Sequence, residues 1–197
     1  VTIECSDSRN PALNNMLGSA TATDNCDLTA VVISFTDQVL AVVSMCPQDS
    51  LLVRTWKATD VCGNFSTCVQ LINIKDRTAP VFSACPTAPV NLGCNPAALP
   101  VAATAIAEAG PVTDKCGMVT ITATSGGITG ICQKTEIWTV TAVDECTNSA
   151  SCTVTFTWTE DTTDPVFSAC PSTPIDLGCN PTTLPDEAAA IQAAGGV

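Results

Sequence analysis

The feature that most constrains this chain is a stretch of sequence that it contains twice. Residues 80–99 read PVFSACPTAPVNLGCNPAAL, and residues 165–184 read PVFSACPSTPIDLGCNPTTL. The offset, 165 minus 80, is 85 residues, which is the size of one small domain. The chain is therefore predicted to be a tandem array: repeat 1 over 1–79, a complete repeat 2 over 80–164, and the start of a third repeat over 165–197. In this register repeat 1 lacks the counterpart of PVFSACPTAP.

Each repeat has little material for a hydrophobic core. Aromatic residues make up 4% of the chain, Tyr and His are absent, and there are 13 cysteines. Small domains with thin cores are commonly stabilised by disulfides, which persist in oxidising compartments. The composition thus predicts an extracellular or cell-surface protein. A zinc–thiolate array is disfavoured, because the spacings contain no CxxC pair and no histidine is present to complete a site.

The net charge limits the kinds of partner that the protein can bind. The net charge is −12, with only seven Lys and Arg residues, which argues against nucleic acid and anionic membranes as partners. No apolar run is long enough to span a bilayer, so this segment is not predicted to insert into a membrane. The absence of His, together with cysteines expected to be oxidised, leaves no nucleophile–base pair. We predict that the protein is not an enzyme and needs no organic cofactor.

Segments of alternating polarity predict an all-β fold. They are rich in Thr, Val and Ile, and the clearest are 118–123, 135–143 and 152–158. In the last of them Val154, Phe156 and Trp158 share one face, which is predicted to line a core.

The matching strand of repeat 1, residues 68–74, has a less regular pattern. It puts Ile72 and Ile74 on the core side, while Val69 and Leu71 fall outside. Those two are either scattered surface residues or part of a lateral contact.

Two Ala-rich segments interrupt the strand pattern. Residues 99–110 (LPVAATAIAEAG) and 184–196 (LPDEAAAIQAAGG) begin with Pro near a helix start and end in Gly. Each predicts a short helix crossing from one strand to the next.

The six cysteines of repeat 2 allow many pairings, and the sequence alone does not choose among them. A sandwich topology reduces the number of possible pairings. The chain runs down, up and down again through the sandwich, which brings certain cysteines to the same height along the strands. The pairs predicted in this way are Cys85–Cys152, Cys94–Cys132 and Cys116–Cys146 in repeat 2, and Cys5–Cys46 and Cys26–Cys62 in repeat 1. Cys68, Cys170 and Cys179 stay unpaired within the chain. Their partners are expected in more of the array or, in an assembly, as Cys170 of one chain with Cys68 of the next.

Three segments of repeat 1 resemble a known family. Residues 22–27 (ATDNCD), 54–68 (RTWKATDVCGNFSTC) and 75–80 (KDRTAP) are similar to the hyalin-type (HYR-like) repeat. The similarity is greatest to its Cys-rich version, found in tandem in bacterial surface and secreted proteins. Repeat 2 keeps the Cys, Trp and Asp positions but has Thr147 where the CGN turn has glycine. The resemblance implies immunoglobulin-like β-sandwiches in an extracellular adhesive or structural stalk, with no catalytic residues to transfer.

Acidic and amide side chains cluster beside the cysteines at one end of each repeat. Several oxygen ligands converging between stacked domains would suit Ca²⁺. The alternative is that Asp and Asn are there only because they favour turns. The candidate ligands are Asp24, Asp27, Asp60 and Asn64 in repeat 1, Asp76 in the linker, and Asp114, Asp144 and Asn148 in repeat 2.

One sequon is present. Asn64-Phe65-Ser66 has the pattern of an N-glycosylation acceptor, so Asn64 is a candidate for modification.

Two functional hypotheses follow. The leading one is a building block of an extracellular fibre or surface stalk made of repeats stacked end to end, whose partners are copies of itself. An incomplete repeat would be completed by a neighbour's strand, unless the chain is an arbitrary cut through a longer polypeptide. The second is an adhesin that binds a glycan or protein through exposed aromatics at its turns. Phe65 is the candidate there, because Trp56, Trp138 and Trp158 lie within strands.

Overall fold

The computed structural model describes residues 1–26, 31–162, 164–167, 170 and 172–193. The chain divides into two compact units, Val1–Glu160 and Asp161–Val197. The described elements are, in chain order, β1 (Thr2–Glu4), β2 (Val32–Ala41), β3 (Ser50–Thr59), β4 (Phe65–Lys75), β5 (Val81–Phe82), β6 (Val90–Cys94), α1 (Ala102–Glu108), β7 (Val112–Thr113), β8 (Val119–Thr129), β9 (Gln133–Asp144), β10 (Ser149–Thr159) and α2 (Glu187–Ala193). The predicted all-β class and the short helices are confirmed.

Repeats 1 and 2 are built around the same four-stranded sheet. The strand order is β1-β4-β3-β2 in repeat 1 and β6-β10-β9-β8 in repeat 2. In both sheets the short first strand runs parallel to its neighbour, and the other pairs are antiparallel. The long hairpins also correspond, since Thr59 lies opposite Phe65 and Val143 lies opposite Ser149. Each pair of strands therefore leaves a turn of the same length.

The alternating pattern of β10 places its apolar residues in the core of repeat 2, as predicted. Val154, Phe156 and Trp158 are buried and pack with Trp138 and Val140 of β9. The threonines between them lie on the other face. Burial of each such side chain contributes about 1.5–3 kcal/mol relative to exposure.

Repeat 2 has a second layer that covers this sheet. The two-stranded sheet β5–β7 and the helix α1 lie against it, so that β5 contacts β10 and α1 contacts β8 and β9. Phe82, Ala105 and Ala109 supply the apolar contacts of this layer. Gly110 ends α1 with a φ of +76°, and a Cβ at this position would lie 2.8 Å from the Cβ of Ala84. The arrangement is sandwich-like.

Repeat 1 has a smaller core and a different second layer. Its buried cluster consists of Ile3, Leu17, Leu52, Ile72 and Ile74. Leu17 comes from a single 3-10 turn, Asn15–Leu17, in the segment that corresponds to α1 in repeat 2. On the opposite face of β4, the side chains at positions 69 and 71 are exposed, as the sequence pattern predicted.

The tryptophan positions of the two repeats do not coincide. Counted from the equivalent hairpin turns, Trp138 corresponds to Arg54 and not to Trp56. Arg54 is fully buried in this core position and forms a bidentate ion pair with Asp37. Its Nε and Nη2 atoms donate to the two carboxylate oxygens, each at 2.8 Å, and its Cζ atom lies 4.1 Å from the ring centroid of Phe35. The sequence-based alignment of the two tryptophans was therefore wrong by two residues, a shift that keeps the same face of the strand.

The second unit contains α2, which confirms the helix expected in 184–196 within its described part. The carboxylate of Asp186 accepts a hydrogen bond from the Ala189 backbone N–H at 2.8 Å, so it caps the first turn. None of the helices in the described residues has the length and apolarity that a membrane crossing requires.

Candidate functional site

The candidate site has two parts: the joint between repeats 1 and 2, and an uncovered face of repeat 1. At the joint, two disulfides connect the repeats. Cys5 bonds to Cys116 with a Cα–Cα distance of 5.9 Å, and Cys46 bonds to Cys146. The predicted pairs Cys5–Cys46 and Cys116–Cys146 were wrong, because the end of repeat 1 that carries the first pair packs against the end of repeat 2 that carries the second. We call these two bonds the joint disulfides.

A third disulfide closes repeat 2 internally. Cys85 bonds to Cys152 with a Cα–Cα distance of 5.8 Å, which is the pair deduced from strand heights. Within the described residues the remaining cysteines are unbonded and exposed: Cys26, Cys62, Cys68, Cys94, Cys132, Cys170 and Cys179. The predicted pairs Cys26–Cys62 and Cys94–Cys132 are thus not formed. Cys26 and Cys62 lie at the end of repeat 1 away from the joint, and Cys94 and Cys132 lie at the end of repeat 2 away from it.

The joint also gathers buried carboxylates. Asp76 in the linker and Asp144 at the end of β9 are 7% and 6% exposed, and their carboxylates lie within 4.8 Å of each other. Oδ1 of Asp76 accepts a hydrogen bond from the backbone N–H of Thr78 at 3.2 Å. Its Oδ2 atom is buried and has no hydrogen-bond partner. A buried carboxylate oxygen without a partner is costly unless a proton or a cation accompanies it.

The surroundings of Asp76 favour its neutral, protonated form. Burial raises the pKa of Asp76, and the carboxylates of Asp144, Asp114 and Glu4 raise it further. The hydrogen bond from the Thr78 N–H lowers the pKa and only partly opposes these effects. The joint therefore concentrates negative charge where solvent is largely excluded.

The turn at the joint is held by Asp144. Its Oδ1 accepts hydrogen bonds from the backbone N–H groups of Cys146 at 2.8 Å and Asn148 at 2.9 Å, and its Oδ2 accepts one from Asn148 Nδ2 at 2.8 Å. Asp114 does the same for the other joint cysteine, since its Oδ1 accepts a bond from the Cys116 N–H at 2.7 Å. Across the joint, Asn148 Nδ2 also donates to the backbone oxygen of the linker aspartate at 3.4 Å.

The same turns recur at the far end of repeat 1. Asp60 Oδ1 accepts a bond from the Asn64 N–H and Asp60 Oδ2 accepts one from Asn64 Nδ2, both at 2.8 Å. The hydrogen bonds from Asn64 lower the pKa of Asp60. Asp24 Oδ1 accepts a bond from the Cys26 N–H at 2.9 Å. This turn geometry is therefore a property of the repeat and does not depend on the joint.

The predicted cation ligands fall into two sets at opposite ends of repeat 1. The structure brings Asp76, Asp114, Asp144 and Asn148 together at the joint, and places Asp24, Asp60 and Asn64 around the free end; Asp27 lies outside the described residues. The nearby sulfurs of Cys116 and Cys146 belong to disulfides and are not thiolate ligands. Asn64 is exposed, but its Nδ2 is engaged by Asp60, so a glycan there would compete with that bond. Both assignments stay predictions.

The second part of the site is the inner face of β3 and β4 near the free end of repeat 1. Trp56, Ala58, Ser66 and Cys68 line a groove of about 190 Å³, and Ile33 of β2 borders it. We call this region the open face. It lies beside the small core of repeat 1 and carries an exposed cysteine.

In repeat 2 the corresponding face is covered by β5 and the residues that follow it. Phe82 packs into the core and Cys85 is bonded to Cys152, the counterpart of Cys68. β5 also pairs with β7, with Val81 opposite Thr113 and Phe82 opposite Val112.

The positions in repeat 1 that match β7 are Ala22 and Thr23, in ATDNC against VTDKC. Both residues line cavities at the open face, and neither belongs to a strand. Repeat 1 therefore presents a cysteine, a groove and a strand position that correspond to those occupied by residues 81–85 in repeat 2.

The segment that would fit this face occurs again after repeat 2. Residues 165–170 repeat PVFSAC, and in the second unit Val166 and Phe167 are 90% and 72% exposed. Cys170 is exposed and unbonded.

No model of a known protein family matches the chain, so the HYR-like resemblance has no support there, and no curated protein matches it. Among solved structures, the chain is similar to Drosophila N-cadherin EC1-4, with 9% identity and a TM-score of 0.36, covering 80% of this chain and 46% of that one. It is also similar to protocadherin gamma B7 extracellular cadherin domains 1-4, with 16% identity and a TM-score of 0.33, covering 82% of this chain and 49% of that one. The chain spans less than half of either structure.

The sequence reasoning missed the joint disulfides. The height of each cysteine in its strand placed Cys5 and Cys46 at one end of repeat 1, and Cys116 and Cys146 at the opposite end of repeat 2. The linker that carries Asp76 joins these two ends, so the signal was present, but the cysteines were paired within each repeat.

Proposed function

We propose that the chain is a building block of an extracellular fibre or surface stalk, and that residues 165–170 of one copy complete the open face of repeat 1 in the next. The observation that carries this proposal is the pairing of Cys85 with Cys152 beneath β5. Cys68 occupies the position of Cys152 and is exposed, while a second PVFSAC segment ends in the exposed Cys170.

The pairing seen in repeat 2 specifies how the donated segment would dock. Val166 would lie opposite Thr23 and Phe167 opposite Ala22, as Val81 and Phe82 do with Thr113 and Val112. Both donated side chains are now largely exposed, and burying each contributes about 1.5–3 kcal/mol. Cys170 would then reach Cys68. This is strand addition with a covalent lock.

The cysteine content supports the extracellular setting. Three disulfides in a chain of two small repeats are typical of secreted and surface proteins. The small core cluster of repeat 1, with five residues, fits a repeat that gains stability when its open face is covered.

The experiment measures docking of the donated segment under reducing conditions, and disulfide formation in a separate step after oxidation. Under reducing conditions we expect the full chain to form head-to-tail oligomers, measured by light scattering and negative-stain microscopy, and Phe167→Asp to abolish them. Leu177→Asp is the matched control, since Leu177 is exposed in the same unit but outside the PVFSAC segment. A free peptide of sequence PVFSACPS should block assembly of the full chain and become bonded to Cys68 after oxidation.

Two results would overturn the proposal. One is assembly that is unchanged by Phe167→Asp. The other is native material that, without reduction, consists of a single polypeptide much longer than 20.2 kDa, because repeat 1 would then be completed by residues of its own chain.

We further propose that the joint binds a hard divalent cation, Ca²⁺, through Asp76 and Asp144. The support is the buried Oδ2 of Asp76, which has no partner, and the surrounding carboxylates. Titration calorimetry of chelator-treated protein should show Ca²⁺ uptake that Asp76→Asn removes and Asp60→Asn, at the free end, preserves. At 100 times its dissociation constant the ion would add about 2.7 kcal/mol to stability. No uptake and an unchanged melting temperature would refute it.

A ligand-binding adhesin is the second candidate. Phe65 is exposed beside a polar cavity that Asp60 and Asn64 also line, and Lys57 Nζ lies 4.2 Å from its ring centroid. An aromatic ring next to carboxylate and amide groups is suited to a sugar. Binding to a glycan array that Phe65→Ala abolishes would favour this function over the fibre.

A further inference from the structure

Repeat 1 presents, at its free end, copies of the two turns that carry the joint cysteines of repeat 2. Cys62 lies two residues after Asp60, as Cys146 lies two residues after Asp144. In each turn the aspartate N–H donates to the backbone oxygen of the asparagine four residues on at 3.0 Å, and the side-chain bonds described above agree within 0.1 Å.

The second cysteine of this end is held in the same way. The Cys26 N–H donates to Asp24 Oδ1 at 2.9 Å, and the Cys116 N–H donates to Asp114 Oδ1 at 2.7 Å. In repeat 2 this turn and the previous one present two sulfurs that bond to another repeat and not to each other. In repeat 1 the corresponding sulfurs are exposed and unbonded.

The opposite end of repeat 2 presents the complementary pair. Cys94 ends β6, the parallel first strand of its sheet, as Cys5 directly follows β1. Cys132 lies in the connection between β8 and β9, as Cys46 lies in the connection between β2 and β3. Both residues are exposed and unbonded.

We infer that successive copies are joined by two further disulfides, Cys94 of one copy with Cys26 of the next and Cys132 with Cys62. This inference rests on the proposed function. A repeat 1 completed by residues 165–170 of the preceding copy would directly follow that copy's repeat 2, which is the position where repeat 2 follows repeat 1 within the chain. Together with Cys170–Cys68, each junction between copies would hold three disulfides.

The chemistry requires an oxidant that the protein does not contain. For each bond, two thiols react with one oxidised disulfide donor, such as oxidised glutathione. One S–S bond of the donor breaks, one protein S–S bond forms, and the donor takes up two electrons and two protons as two reduced thiols. An oxidising extracellular compartment supplies such donors.

The experiment distinguishes bonds between copies from bonds within one copy. Equal amounts of unlabelled and ¹⁵N-labelled full chain are mixed under reducing conditions, assembled, and oxidised in a glutathione buffer. Mass spectrometry of a non-reduced digest then identifies each pair of linked peptides. We expect peptides linked through Cys94–Cys26 and Cys132–Cys62, about half of them with one labelled and one unlabelled partner, as random mixing of copies requires.

The possible results separate this inference from the proposed function. Links of mixed isotope through Cys68–Cys170 without any through Cys26 or Cys62 would leave strand donation standing and overturn the inference. Links of a single isotope through Cys26–Cys62 and Cys94–Cys132 would also overturn it.

Two sets of variants test the same point by another measurement. Oxidised polymers of Cys68→Ala should still resist denaturation in sodium dodecyl sulfate without reductant, because two bonds per junction remain. Polymers of the triple variant Cys26→Ala, Cys62→Ala and Cys68→Ala should fall apart into single chains. Cys179→Ala, which removes an exposed cysteine outside the three pairs, is the control and should behave as the parent. Equal resistance of the triple variant and the parent would contradict the inference.

Discussion

Replacing Cys85 and Cys152 together by alanine should strongly destabilise repeat 2. The bond connects residues 67 positions apart, and closing a loop of this size contributes about 4 kcal/mol in the chain-entropy model. Cys152 is only 1% exposed, so the lost sulfur also leaves a small cavity that costs about 1 kcal/mol. The sum approaches the whole stability of a small domain.

The assay is urea unfolding of the purified monomer, followed by tryptophan fluorescence. Trp138 and Trp158 report on repeat 2 because both lie in its core. A loss of about 5 kcal/mol corresponds to a fall in the melting temperature of at least 20 °C for a domain of this size.

The matched control is Cys68→Ala. Cys68 has the same position in repeat 1 but is exposed and unbonded in the monomer, so its replacement should change stability by less than about 0.5 kcal/mol. A loss below about 1 kcal/mol for the double variant, or a loss equal to that of the control, would refute the reasoning.

Three further predictions concern single residues. Arg54→Ala should destabilise repeat 1 by about 3 kcal/mol, because it breaks a buried ion pair and two ring contacts, and fluorescence-detected unfolding would show it. Burial opposes ionisation of Asp49, but hydrogen bonds from Lys75 and a neighbouring serine lower its pKa from the ordinary 3.8. Its contribution is therefore full above that value and is lost as the pH falls through the lowered pKa, and Asp49→Asn should flatten the pH dependence of the melting temperature below about pH 4. Gly110→Ala should cost about 1 kcal/mol more than Gly63→Ala in urea unfolding, since both have positive φ but only the former is overpacked against another Cβ.

The sequence predicted the elements of repeat 2 because local pattern and local packing agree there. The alternation in β10 determines which residues face the core, and Cys85 and Cys152 are both defined by strands of one repeat. The joint disulfides were not predicted in this way, because strand height gives only the end at which a cysteine lies. Two cysteines at one end can bond to each other or to the repeat stacked on them, and height does not distinguish the two.

Two other differences between the sequence-based prediction and the structure also come from packing between distant parts of the chain. The slip between Arg54 and Trp56 leaves the inward face unchanged, so periodicity gives no sign of it. Whether a face of repeat 1 is open depends on which segment covers its sheet. The alternation of polarity within the strands carries no information about that segment.

The joint disulfides have a mechanical consequence. Because Cys46 is bonded to Cys146, the 100-residue stretch between them cannot be pulled straight even when its strands separate. An unfolded stretch of that length would extend by about 330–360 Å, whereas the bond keeps its two ends together. Tension along the axis therefore passes through covalent bonds at the joint instead of the linker and strand ends. In a fibre made of such units, reducing a sulfur bridge would therefore lengthen the chain that tension can draw out.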